Sequence, residues 1–117
     1  MPQQQSFEAG VRHEGGSAII DLTGDINGFA DEALNEAYAE AETLDVETIM
    51  LNFSQVGYIN STGIALIVGL LAKARQTHRK LVTYGLSEHY LEIFHITRLS
   101  DFMTIVADEE SAMAAVT

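Results

Sequence analysis

The sequence contains no cysteine. Disulfide scaffolds, thiol nucleophiles and thiolate metal sites are therefore excluded, and the chain is compatible with a reducing cytosol. Proline occurs once and the nine glycines are scattered, so no linker divides the chain. Basic residues are scarce, six Lys and Arg against seventeen Asp and Glu, for a net charge of −11. No nucleic-acid partner is expected, because phosphate contacts require clustered cations. The longest apolar run, residues 64–72, falls short of the roughly 20 residues needed to cross a bilayer. Residues 1–6 lack the basic and apolar blocks of a secretory signal. The expectation is a soluble cytoplasmic protein without membrane insertion.

What is present is a balanced globular composition, 47% hydrophobic and 20% charged. The length of 117 residues suits one compact domain spanning 1–117 and is too short for two. The few cations are uneven: Lys73, Arg75, Arg79 and Lys80 sit close together, while acids dominate the first half. Such acidity either steers a partner with a basic face or serves only solubility, and composition does not separate the two.

Phe7, Ala9 and Val11 alternate with polar residues and predict a first strand. Gly15-Gly16 marks a turn, and residues 18–22 form a second apolar run that Gly24 ends. Residues 31–44 have helical period, with Leu34, Ala37, Tyr38 and Ala41 on one face and Glu32, Glu36 and Glu40 opposite. Residues 48–53 read as a strand buried on both faces. A helix follows Asn60-Ser61-Thr62-Gly63 and runs through Arg75, with Ser61 as its N-cap and bases near its end. Residues 80–84 read as a strand, 87–95 as a helix capped by Ser87, 103–106 as a last strand and 108–116 as a final helix. The order is β-β-α-β-α-β-α-β-α. It predicts an α/β fold with a mixed, mostly parallel sheet, helices packed against it and an antiparallel edge.

The stretch 64–72 shows no polar face, so its helix is either buried all round or exposed in part for a partner. In so small a domain we favour a protein-contact surface. Ser61 and Thr62 fall at the helix N-terminus, where free backbone N–H groups and the dipole favour an anion. A phosphate on Ser61 would add about −1.5 to −2 charge there without unfolding the domain. Spacing alone does not separate such a modification from an ordinary cap.

The segment Leu51-Asn52-Phe53-Ser54-Gln55-Val56-Gly57-Tyr58-Ile59-Asn60-Ser61-Thr62-Gly63-Ile64 resembles the hallmark segment of STAS domains, as found in bacterial anti-sigma factor antagonists. Leu22-Thr23-Gly24-Asp25-Ile26 is similar to the family's earlier Leu-x-Gly-x-apolar element, and Gly85-Leu86-Ser87 with Phe94 and Leu99 to its third-helix region. Residues 102–112 resemble its closing strand and acidic-capped helix. The resemblance runs in order along nearly the whole chain.

It implies that Ser61, which follows the Asp position of the family's Asp-Ser-[Ser/Thr]-Gly motif, is phosphorylated by a serine kinase that is also the anti-sigma factor. The unphosphorylated antagonist binds the kinase and frees its sigma factor. Phosphorylation dissociates the pair, and a serine phosphatase resets the cycle. Thr62 is a possible secondary phosphoacceptor. The resemblance implies a partner surface of Asn27, Asn60, Ser61, Thr62, Gly63, Ile64 and Ile67. ATP belongs to the kinase, so the domain itself is expected to be no enzyme and to hold no cofactor. The chain departs from the family at Asn60, where Asp is usual, and at Asn27, where an acid often follows the earlier element. Both changes remove negative charge beside the switch serine.

The four histidines lack metal-ligand spacing and read as surface or boundary residues. Tyr58 and Phe94 read as core or rim packing, and Ser54 as closing the loop after its strand. Gly24-Asp25-Ile26-Asn27-Gly28 lacks the Lys and spacing of a phosphate-binding loop. Two further classes stay open: a constitutive STAS scaffold subunit of a signalling or lipid-transport complex, and a small-ligand binder of purine nucleotides.

Overall fold

The computed structural model describes residues 6–116, so most of the N-terminal segment read above lies outside the described residues. The chain runs β1 (Glu8–Glu14), β2 (Ser17–Ile26), a 3₁₀ turn (Gly28–Ala30), α1 (Asp31–Glu42), β3 (Thr48–Ile59), α2 (Ser61–Gln76), β4 (Lys80–Tyr84), α3 (Glu88–Ile96), a 3₁₀ turn (Leu99–Asp101), β5 (Thr104–Val106) and α4 (Glu109–Ala115). The five strands form one sheet in chain order. β1 pairs antiparallel with β2, and β2 to β5 pair in parallel. This is the expected mixed α/β order, with the antiparallel edge made by the tight turn at Gly15, φ 60°.

Alternation along the strands sends successive side chains to opposite faces. On one face Ala18, Ile20, Leu22, Ile49, Leu51 and Phe53 pack under α1, α2 and α3 in the main core. Leu34, Ala37, Tyr38 and Ala41 are the buried stripe of α1, while Glu32, Glu36 and Glu40 are exposed. Phe94 from α3 meets Phe53 edge-on with ring centroids 5.9 Å apart. On the other face Ile19, Met50, Val82 and Tyr84 pack against Ala112 of α4.

A polar clasp ties α4 to that second face. The Arg12 guanidinium donates to Asp21 at 2.6 and 2.9 Å and to Glu109 at 2.7 Å. Tyr84 donates its hydroxyl to Glu109 at 2.8 Å, and Asn52 donates to Asp21 at 2.8 Å. These bonds to Arg12 hold both carboxyls below their ordinary range, opposed in part by their burial. Burial, then the bond to Glu109, pushes the Tyr84 phenol up.

Two boundaries differ markedly from the sequence reading. β2 continues past Gly24, which takes φ 98° at a register shift between Gly24 and Asp25. β3 continues from Phe53 to Ile59, because residues 55–59 pair with residues 23–26 of β2 after β4 has ended at the partner of Asn52. This two-stranded extension is largely exposed, so it has no continuous apolar pattern to announce it. Ser54 therefore closes no loop: it lies within β3, and its backbone N–H and hydroxyl both donate to the Asn52 side chain at 3.0 and 2.6 Å. The other ends differ by one or two residues, Asp108 being the N-cap of α4 and Met103 preceding β5.

Candidate functional site

The extension of β3 delivers the chain to the start of α2. The Asn60 N–H donates to the Ile26 carbonyl at 3.1 Å, joining the ends of β2 and β3. One residue earlier, the buried Ile59 N–H donates to the Tyr90 hydroxyl at 2.8 Å, so α3 holds the same strand end. Asn60 then takes an extended conformation, φ −90° and ψ −178°, and its side-chain oxygen accepts from the Gly63 N–H at 2.8 Å. Asn60 is therefore the N-cap, and the assignment of that role to Ser61 is corrected. The amide oxygen of Asn reaches the third helical residue as the Ser hydroxyl would, which frees Ser61 to become the first helical residue.

Freed of capping, the exposed Ser61 makes no side-chain hydrogen bond among the described residues. Thr62 is exposed beside it. As the first two residues of the helix, neither finds an intrahelical acceptor for its backbone N–H. Gly63 is buried, and a Cβ there would fall on the Ile26 carbonyl and within 2.9 Å of the Ile59 side chain. Only glycine lets the helix begin this close to the sheet.

The 3₁₀ turn flanks this helix start. The Asn27 side chain accepts from the Phe29 N–H at 2.9 Å and so shapes the turn. A Cβ on Gly28 would lie 3.7 Å from the Thr62 methyl. Asn27 and Asn60 thus belong to two adjoining caps around Ser61 and Thr62. Phe29, 90% exposed, projects from this turn, and Tyr58 at the end of β3 is 55% exposed. Of the core or rim packing read for Tyr58, the core alternative is excluded, because the two-stranded extension leaves its side uncovered. Phe94 is core, as read.

Helix α2 is neither buried all round nor bare. Ile67, Leu70, Leu71 and Ala74 are buried in the core, Ile64 and Leu66 are half-buried, and Ala65, Val68, Gly69 and Ala72 are exposed. An apolar strip of small side chains therefore leads away from Ser61. Ile67 is corrected as a partner-contact residue, since its side chain points into the core at 0% exposure. Ile64 contributes only in part. Sequence reasoning missed Phe29, although a large apolar residue inside a Gly-flanked turn is an available signal. It also missed Tyr90, whose role rests on a pairing with Ile59 that no local pattern encodes.

All four histidines are exposed, and no group of acids and histidines able to hold a metal gathers among the described residues. No helix among them is long and apolar enough to cross a membrane. The arrangement offers an unbonded hydroxyl on a helix start open to an anion, with apolar surface on both sides.

The STAS domain family model matches residues 8–112. The anti-sigma-B factor antagonist of Listeria monocytogenes serovar 1/2a is 30% identical over 86 residues, covering 74% of this chain and 75% of that protein. The anti-sigma factor antagonist SpoIIAA in its unphosphorylated form superposes with a TM-score of 0.71 at 20% identity, covering 95% of this chain and 97% of the other. The Bacillus cell fate determinant SpoIIAA in its phosphorylated form gives a TM-score of 0.71 at 22% identity, covering 96% and 100%. At those identities the structural likeness speaks for the fold, and the match to the family model carries the assignment: the chain belongs to the STAS domain family.

Proposed function

We propose that this protein is an anti-sigma factor antagonist that binds a partner serine kinase, itself the anti-sigma factor, and is released by phosphorylation of Ser61. The observation that carries this reading is the exposed, unbonded Ser61 hydroxyl at the first position of α2, beside exposed Phe29 and the apolar strip of that helix. A phosphate there meets the positive end of the helix dipole, so the fold tolerates it. It also sets a dianion beside apolar surface, and an apolar partner face is then repelled by the need to desolvate that charge. Anti-sigma factor antagonist names among the relatives support the same reading.

Asn60 is compatible with the switch because it retains the cap an aspartate would form, and it withholds a negative charge that would oppose the phosphate. The kinase and a resetting serine phosphatase are the partners. Thr62 is the secondary acceptor. The test is incubation with candidate serine kinases from the same genome and ATP, with the phosphate mapped by mass spectrometry. Phosphate on Ser61 that is lost in Ser61→Ala supports the switch. A stable, stoichiometric partner complex with no phosphate would favour the second reading, a constitutive scaffold subunit, which the missing acid at Asn60 motivates.

A further inference from the structure

Six cations face seventeen carboxylates in this chain, so an unpaired cation is informative. Arg12 bridges Asp21 and Glu109, Arg98 pairs with Asp101 at 2.8 Å, and Arg79 pairs with Glu42 at 3.3 Å. Lys73 donates to Asn35 and lies 5.8 Å from the centre of the Tyr38 ring. The remaining two, Arg75 and Lys80, have no carboxylate partner among the described residues. Both line one open cavity of about 480 Å³, and Arg79 lines it with them. Its floor is apolar, formed by Leu71, Leu81 and Met103, and one wall is Phe102, 53% exposed. The Arg75 guanidinium lies 5.0 Å from the centre of that ring.

We infer that this cavity is a binding site for a phosphate monoester carrying an aromatic or apolar body. Arg79 is neutralised by Glu42, and its guanidinium is steadied by the Val46 carbonyl at 3.1 Å. Arg75 and Lys80 then supply two uncompensated charges, which match a dianion. A phosphate monoester carries about −1.5 to −2 at pH 7, whereas a single carboxylate leaves one cation unmatched. Asp101 also lines the cavity, and its carboxylate is paired with Arg98 at 2.8 Å. Leu71, Phe102 and Met103 give the ligand's body an apolar surface, and the cavity size falls within the roughly 300–1,000 Å³ of small-molecule sites. The site lies toward the C-terminal end of α2, roughly 20 Å along the helix from Ser61, so it is separate from the phosphoacceptor.

The test is titration of the ¹⁵N-labelled protein with phenyl phosphate, inorganic phosphate and benzoate, followed by amide shifts. Expected are saturable shifts at Leu81 and at residues 102–104 with phenyl phosphate, and at least tenfold weaker binding of the other two probes. Arg75→Gln and Lys80→Gln, both at exposed positions, are each expected to weaken phenyl phosphate roughly tenfold while circular dichroism is unchanged. Unsaturable shifts, or affinity in both variants equal to that of the wild type, would overturn the assignment. So would shifts centred on Ser61 and Gly63, which would place the anion at the helix start. Benzoate binding as tightly would refute the dianion, and inorganic phosphate binding as tightly would refute the apolar body.

Discussion

Replacing Tyr90 with phenylalanine removes a single oxygen atom from the protein. That oxygen accepts the hydrogen bond of the Ile59 N–H at 2.8 Å, inside a buried contact between α3 and the end of β3. The ring of Tyr90 is 6% exposed and stays in the main core, so its apolar burial is retained. What changes is that a buried backbone donor is left without a partner. Such a donor costs about 1–3 kcal/mol, more than the net value of an ordinary hydrogen bond, because it has lost water as well as its acceptor. For a domain of this size each kcal/mol lowers the melting temperature by about 4 °C. The damage is local, since Ile59 immediately precedes the Asn60 cap on which the position of Ser61 depends. Urea titration of Tyr90→Phe is expected to show a lower midpoint at unchanged slope, and hydrogen exchange at Ile59 is expected to quicken more than at core amides such as Leu51. An unchanged midpoint together with unchanged exchange at Ile59 would refute the reasoning.

Ser61→Asp is expected to weaken binding to the partner kinase while Ser61→Ala preserves it; equal affinities by calorimetry would count against the switch. Asn60→Ala removes the cap of α2 and should destabilise the fold by about 0.5–2 kcal/mol, whereas Asn60→Asp should be near neutral, by urea titration. Phe29→Ala, at 90% exposure, should leave the melting temperature unchanged and weaken partner binding at least tenfold if it anchors the interface. Asp21 and Glu109 have folded-state values depressed by Arg12, so their contribution is present at neutral pH and is lost as pH falls below the ordinary carboxylate range and through the depressed values. The gap in melting temperature between the wild type and Arg12→Gln should accordingly narrow from pH 6 to pH 3. Both acids are partly exposed, so the gap should be small and should shrink with salt.

Much of this molecule is written locally. Leu34, Ala37, Tyr38 and Ala41 recur at helical spacing and are the buried stripe of α1. Ser87 caps α3 by accepting from the Tyr90 N–H, and Gly15 makes the hairpin turn. Each of these signals acts within a few residues, which is why the sequence alone determined the element order, the mixed sheet and the family. Tertiary structure decided what depends on distant partners. Asn60 wins the capping role from Ser61 because β3 extends to Ile59, and that extension exists only by pairing with β2. Tyr90 reaches Ile59 across a sequence gap of 31 residues. Phe29 and Tyr58 are exposed although the neighbouring Ile26 and Ile59 are buried under α2 and α3, while Ile67 turns inward because the core takes that face of α2. Arg75 and Lys80 are set apart from the other cations only once the fold has distributed the carboxylates. Burial and pairing belong to three-dimensional neighbours, and a chain read in one dimension shows only which residues are suited to them.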